Sequence, residues 1–74
     1  MQRTVKVRDI LQNPLLDNQT EVTIMKKEED EEGQSYTKHI KGRRYENQIV
    51  AWNEEKVSTV TFSSFFNTCR ISLR

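Results

Sequence analysis

The chain has 74 residues, of which 34% are hydrophobic and 31% are charged, and its net charge is +1. This length predicts one domain over residues 1–74 with a small core. A small core favours additional stabilisation of the fold by homo-oligomer formation or by a bound partner. The near-neutral balance excludes a uniformly basic nucleic-acid-binding domain.

The chain has a single cysteine, Cys69, and a single histidine, His39. An internal disulfide and a Cys/His zinc site are therefore excluded, and a lone thiol is typical of a reducing compartment. No stretch has the apolar core of a signal peptide or the roughly 20 apolar residues of a membrane span. We expect a cytoplasmic protein with no cofactor, no metal and no membrane partner.

The first third of the chain predicts a short strand and then a short helix. Thr4–Val7 alternates polar and apolar residues, as a strand does. A helix is expected over about 8–12, because Pro14 disfavours helical geometry just before it. Leu15–Leu16 should then enter the core, and Asp17–Thr20 has the composition of a turn.

The middle third predicts a charged β-hairpin over Lys26–Arg44. Val22–Met25 is rich in residues favoured in strands, and alternation resumes over Ser35–Lys41. Between them lie five consecutive carboxylates, residues 28–32, which we name the acidic run. Gly33 can supply the positive φ that a hairpin connection often needs.

The last third contains one ambiguous segment and two clear strands. Tyr45–Trp52 fits either a helix or a buried strand, since apolar runs this short are not settled by periodicity. Val57–Phe62 predicts a strand with Val57, Thr59 and Thr61 on one face. Cys69–Leu73 predicts a final strand with one solvent-exposed face. This strand is expected to form a second hairpin with the strand before it.

These elements predict an α+β fold. An antiparallel sheet of about four strands would pack one face on the short N-terminal helix. The alternative fold is a small five-stranded barrel, in which Thr4–Val7 pairs with a later strand.

The acidic run has two interpretations. Its carboxylates can bind a basic partner or imitate phosphate charge, or they can form a solvated tip that keeps the chain soluble. Two consecutive rings in the loop at 65–66 cannot easily both point inward, so one is a candidate interface anchor. The candidate partner-binding residues are Glu28, Glu29, Asp30, Glu31, Glu32, Phe65 and Phe66.

A basic segment follows the acidic run. Cations interleaved with aromatic rings are typical of surfaces that contact phosphates and stack bases. The same cations can instead neutralise the acidic run across the strands, where each opposite-charge pair contributes about 0.2–1 kcal/mol. The candidate nucleic-acid-binding residues are Tyr36, Lys38, Lys41, Arg43 and Arg44.

No pattern in the chain predicts catalysis. His39 has no Cys, Asp or second His close to it in the sequence, so we expect it to be exposed on a strand. Cys69 alternates with Ile71 and Leu73, which predicts a buried, inert thiol. We expect a protein that is not an enzyme and that has no small-molecule substrate.

Five short segments of the chain carry a resemblance to known proteins. The segments are Val5–Leu11, Asp17–Ile24, Gly42–Tyr45, Lys56–Phe62 and Ile71–Leu73. The chain thus resembles phage and mobile-element proteins of Gram-positive bacteria, which often begin with a VKDLL helix, continue with TEVxI and close on a short strand. The charged hairpin and the FSSFF loop depart from that pattern. Some small phage proteins of this size inhibit host defence, including anti-CRISPR proteins.

Two functional hypotheses follow. The first is a non-enzymatic interaction protein, a phage or mobile-element accessory factor that binds and inhibits a host protein. A host-defence nuclease complex is one candidate target, and the acidic run would then occupy a basic groove. The second is a small nucleic-acid-binding module that uses the basic strand at 38–44.

Overall fold

The computed structural model describes residues 4–74, which form a four-stranded sheet and two short helices. In these residues no helix is both long and apolar enough to cross a membrane. The elements in chain order are α1 (Val7–Leu11), β1 (Glu21–Glu29), β2 (Ser35–Arg43), α2 (Asn47–Val50), β3 (Val57–Ser63) and β4 (Thr68–Leu73).

The sheet is mixed, with strand order β2-β1-β4-β3. Both expected hairpins form, because β1 pairs antiparallel with β2 and β3 pairs antiparallel with β4. The two hairpins join through β1 and β4, which run parallel, so the expectation of a purely antiparallel sheet is wrong. The parallel pair places Ile24 beside Ile71 on the two central strands of the sheet, and both side chains are fully buried. Parallel strands are usually buried in this way.

The sheet does not close into the alternative barrel. The expected strand at Thr4–Val7 is reduced to an isolated antiparallel bridge between Lys6 and Lys56. Next to this bridge, the Val57 backbone N–H donates to the Val5 carbonyl at 2.8 Å. The N-terminal segment therefore touches the start of β3 before the chain turns into α1.

Helix α1 begins one residue earlier than the sequence predicts. The Lys6 backbone N–H donates to Asp9 Oδ2 at 2.9 Å, which ties the first turn in the manner of a capping box. Downstream, Leu16 is buried but Leu15 is 69% exposed, so only one of the two leucines enters the core. The Leu15 N–H donates to Asn13 Oδ1 at 2.9 Å, and this local turn directs the Leu15 side chain outward.

Both helices contribute to a core on one face of the sheet, here named the helix-covered face. Helix α2 resolves the ambiguous segment 45–52 as helical and buries Ile49 completely. Trp52 packs against the edge of this core, and Lys26 Nζ lies 5.1 Å from the centre of its ring. The fully covered side chains are Val7, Val22, Ile24, Ile49, Cys69 and Ile71.

An irregularity in β3 changes the face of one residue. The pairing between β3 and β4 shifts between Val57 and Thr59, which lets Val57 lie opposite Leu73 and become buried. Val60 packs against the same core. Strict alternation would have put Val57 and Val60 on opposite faces, but the extra residue of a bulge brings them to the same one.

Candidate functional site

The second face of the sheet, named the open face, carries polar side chains from all four strands. Since side chains alternate along a strand, residues paired directly across strands share a face. From β2 and β1 it carries Ser35, Thr37, His39, Lys41, Arg43, Glu21, Thr23, Met25, Lys27 and Glu29. From β4 and β3 it carries Thr68, Arg70, Ser72, Thr59, Thr61 and Ser63.

A single row of the open face joins all four strands. Lys41 pairs with Thr23, Thr23 pairs with Arg70, and Arg70 pairs with Thr61. Two strand spacings separate the Lys41 and Arg70 backbones, which is about 10 Å. The side chains around this row enclose a depression of about 460 Å³, lined by Glu21, Thr23, Met25, His39, Lys41, Phe66, Thr68 and Arg70.

The cations of the open face have no internal partner in the described chain. Among residues 4–74, the ion pairs are those of Glu54 with Lys6 at 2.9 Å and with Arg8 at 3.0 Å, both beside α1. Lys41 and Arg70 are exposed at the depression, and the carboxylate in its lining is Glu21, which lies two residues along β1, between Arg43 and Thr68. The charge of this patch is therefore available to an anionic ligand.

Phe66 stands at the rim of the same depression, on the loop between β3 and β4. Its side chain is 72% exposed and that of Phe65 is 88% exposed. The two rings contact each other edge to face, with centroids 4.8 Å apart and planes at 85°. The sequence predicts that at most one of the two rings points into the core, and the structure shows that both point outward.

The structure divides the predicted nucleic-acid-binding residues between two faces. Lys41 and Arg43 lie on the open face. Tyr36 and Lys38 lie on the other face, where Lys38 is opposite Lys26. Arg44 lies past the end of β2 and donates to the Leu16 carbonyl at 3.0 Å and to Asn18 Oδ1 at 3.1 Å. Arg44 therefore braces the turn before β1.

The acidic run lies at the far end of the hairpin. β4 pairs only with Glu21–Met25, so the rest of β1 and its β2 partner project beyond the sheet. Glu28 accepts a hydrogen bond from the Tyr36 hydroxyl at 2.8 Å, which raises the pKa of Tyr36. The next pair, Glu29 opposite Ser35, ends the ladder.

Asp30 has a structural role within the acidic run. Its Oδ1 accepts the backbone N–H of Glu32 at 2.9 Å and that of Gln34 at 2.8 Å. Gly33 adopts a φ of 81° in the same turn and donates its N–H to the Asp30 carbonyl. Asp30 and Gly33 therefore shape the hairpin connection, while Glu29, Glu31 and Glu32 are exposed.

The register separates the acidic run from Lys41, Arg43 and Arg44, but not from Lys38. Lys41 lies six residues beyond Ser35 along β2, roughly 20 Å from the tip, whereas Lys38 lies diagonal to Glu28 on the same face. Among residues 4–74 the ion pairs are those of Glu54, so the predicted neutralisation of the acidic run by Lys38, Lys41, Arg43 and Arg44 is not observed as ion pairs.

The predicted partner-binding residues do not form one surface. Phe65 and Phe66 lie by the start of β1, since Thr68 pairs with Glu21. The acidic run lies at the end of β1, about eight residues or roughly 27 Å away. A partner would need to span the whole sheet to touch both.

Arg70, a cation of the depression, was not predicted as part of a site. The alternation of Cys69, Ile71 and Leu73 did place Arg70 on a wet face. The parallel pairing of β4 with β1 is what brings Arg70 across from Lys41, and a single sequence carries no local signal for that pairing.

His39 and Cys69 have the exposure that the sequence predicts. His39 is exposed on β2 and Cys69 is fully buried in the core. In the part of the chain that the structure describes, there is no group of three or more His, Cys, Asp or Glu side chains placed to hold a metal ion.

No protein-family model, curated protein or solved structure matches this chain. The geometry of the open face and the composition of its depression are therefore the basis for a functional proposal.

Proposed function

We propose that this chain is a non-enzymatic nucleic-acid-binding protein whose binding surface is the open face. The observation that carries the proposal is the depression in which Lys41 and Arg70 face each other across Thr23, with the exposed Phe66 at its rim. Phosphate groups are held by Lys and Arg, and aromatic rings stack on bases, so this combination fits a nucleic acid.

The segregation of charge reconciles this proposal with a net charge of only +1. The acidic run holds five of the chain's 11 carboxylates, and it lies at a tip roughly 20 Å from Lys41. Since the Debye length is about 8 Å at physiological salt, these carboxylates are largely screened from the depression. The local charge there is thus set by nearby Lys41, Arg43, Arg70 and Glu21.

The test is binding of labelled oligonucleotides, followed by fluorescence anisotropy over a series of salt concentrations. We expect binding at low salt that weakens steeply as salt increases. The double variant Lys41→Gln/Arg70→Gln should weaken binding by about tenfold or more and reduce the slope of log K against log salt by about 2.

Lys38→Gln is the matched control, because Lys38 is an exposed cation of the same strand on the other face. It should bind like the wild type. The proposal fails if the wild type does not bind at low salt, or if Lys38→Gln weakens binding as much as the double variant. It also fails if a poly-glutamate peptide binds as tightly as the oligonucleotides, since the open face would then recognise acidic protein.

A second function is favoured by a different observation, the exposure of the acidic run at a projecting hairpin. With no ion pair to the rest of residues 4–74, Glu29, Glu31 and Glu32 are available to a basic protein surface. Together with the resemblance to phage and mobile-element proteins, this supports an accessory factor that binds and inhibits a host protein, in particular one that handles nucleic acid.

The test of this second function uses Glu29→Gln/Glu31→Gln/Glu32→Gln, which leaves the turn-forming Asp30 in place. Affinity capture from a Gram-positive bacterial lysate should recover a basic protein with the wild type and lose it with the triple variant. Phe65→Ala/Phe66→Ala tests the other predicted contact. Equal recovery with all three proteins would remove this candidate.

A further inference from the structure

The ring of Phe66 stands between two depressions of the open face. The first is the basic depression that holds Lys41 and Arg70. The second, of about 270 Å³, is lined by Thr61, Ser63, Phe66, Thr68 and Arg70. Because Phe66 lines both, a chain lying across the open face from β2 to β3 passes this ring and Arg70 together.

The loop that carries Phe66 is fixed by hydrogen bonds. The Phe66 N–H donates to Ser63 Oγ at 3.3 Å. The next residue, Asn67, adopts a left-handed φ of 52°, and its Oδ1 accepts the Thr20 hydroxyl at 2.9 Å. Its carbonyl accepts the Glu21 N–H at 3.1 Å, which ties the loop to β1.

The edge-to-face contact with Phe65 adds to this support. An exposed aromatic ring on an anchored loop loses little conformational freedom when a ligand stacks on it, and such preorganisation favours binding.

This arrangement suits single strands better than duplexes. In a duplex both faces of an internal base are covered by its neighbours, and inserting a side chain costs a few kcal/mol of unstacking per step. The element of this fold that could enter a major groove is the projecting two-stranded hairpin. Its tip carries the acidic run, which phosphates repel. A single strand offers bare base faces and can lie along the open face without meeting that tip.

We propose that the open face binds single-stranded nucleic acid, with one base stacked on Phe66 and the flanking phosphates held by Lys41 and Arg70. This inference rests on the proposed nucleic-acid function and narrows its ligand. DNA and RNA share the phosphates and base faces that these residues contact, so the test includes both.

The experiment measures binding of single-stranded DNA, single-stranded RNA and duplex DNA of about 12 nucleotides, a length within reach of one small domain. We expect a single strand of at least one type to bind about tenfold or more tighter than the duplex. Phe66→Ala and Phe66→Leu should both weaken binding of that single strand by about ten- to hundredfold, and Phe66→Tyr should retain it.

The leucine variant separates stacking from a general apolar contact. The matched control is Tyr45→Ala, which should bind like the wild type, because Tyr45 is an exposed aromatic residue outside the strands that form the open face. The single-strand inference is overturned if duplex DNA binds as tightly as the single strands, or if Phe66→Leu binds the single strand as tightly as the wild type does. If Lys41→Gln/Arg70→Gln still weakens binding in that case, the nucleic-acid function itself stands. Absence of binding to all three ligands overturns both.

Discussion

Cys69 illustrates how burial fixes the chemistry of a residue. Its side chain is fully enclosed between β1 and β3, opposite Val22 and Phe62. Burial disfavours the thiolate and raises the pKa of the Cys69 thiol to about 11. Cys69 is consequently a core side chain and not a nucleophile.

The first prediction concerns the reactivity of this thiol. In the folded protein at about pH 8, Ellman's reagent should react with Cys69 far more slowly than with free cysteine. The reagent cannot reach the buried sulfur, and little of the thiol is ionised to the reactive thiolate. In denaturant the reaction should become as fast as that of free cysteine. Rapid labelling of the folded protein, with no loss of its circular dichroism, would contradict the buried position.

At the scale of elements, the hairpin of β1 and β2 has two parts with different support. Its base, up to Met25, is paired with β4 and rests on the core through Val22 and Ile24. Its outer part projects with the acidic run and is held by its own ladder, its turn and the contact of Lys26 with Trp52. An isolated two-stranded ribbon is marginally stable, so the turn matters more here than elsewhere.

The second prediction follows from the turn. Asp30→Ala removes the acceptor of two backbone N–H groups and should weaken the outer hairpin by about 1 kcal/mol. Amide hydrogen exchange should accelerate over residues 26–38 and remain unchanged in β4. Glu31→Ala is the control, since Glu31 is exposed and makes no such bond in the described chain. Equal exchange in both variants would show that Asp30 does not hold the turn.

The elements also show what the sequence could predict. The helix near 8–12, both hairpins and the alternation in β4 follow from local patterns, and all are observed. The Val57 bulge and the parallel pairing of β1 with β4 depend on contacts between distant segments, which no local pattern contains. The same limit applies to the site, because Lys41 was predicted from its own segment while Arg70 required the sheet order.

Charge organises the whole molecule. The acidic run lies at one end of the sheet, and Lys41, Arg43 and Arg70 of the open face lie toward the other. Such a dipolar protein orients an approaching polyanion, since the potential near each pole is set by local charge rather than by the net charge of +1. At low salt, where the Debye length reaches about 30 Å, the field of the acidic run extends to the open face, so removing the acids should strengthen binding there without changing any contact.

The third prediction uses this polarity. Glu29→Gln/Glu31→Gln/Glu32→Gln should raise the affinity for a single-stranded oligonucleotide several-fold at low salt, with the gain vanishing as salt screens the tip. Under the alternative function, the same variant loses its protein partner. Gln34→Ala, an uncharged change at the exposed hairpin connection, is the control. A gain in affinity that persists at high salt would show that the acids act by contact and not through their field.

The stability of the whole molecule should also depend on pH, through three carboxylates that lie in the connections between its helices and strands. The Gln19 N–H lowers the pKa of Asp17 in the turn before β1, and the Arg43 N–H lowers the pKa of Glu46 between β2 and α2. A hydrogen bond from Lys6 lowers the pKa of Glu54, which anchors the start of α1. Each group therefore favours the folded chain only while it is ionised.

The fourth prediction is the resulting pH profile of stability. Because these pKa values are lower in the folded chain, the unfolded chain binds more protons in acid. Stability should be level between about pH 6 and 8, and then decrease as the pH falls below about 4.5. The variant Asp17→Asn/Glu46→Gln/Glu54→Gln should have a lower Tm at neutral pH and a shallower decline in acid, both measured by thermal melts. A decline as steep as that of the wild type would show that the acid sensitivity does not come from these three carboxylates.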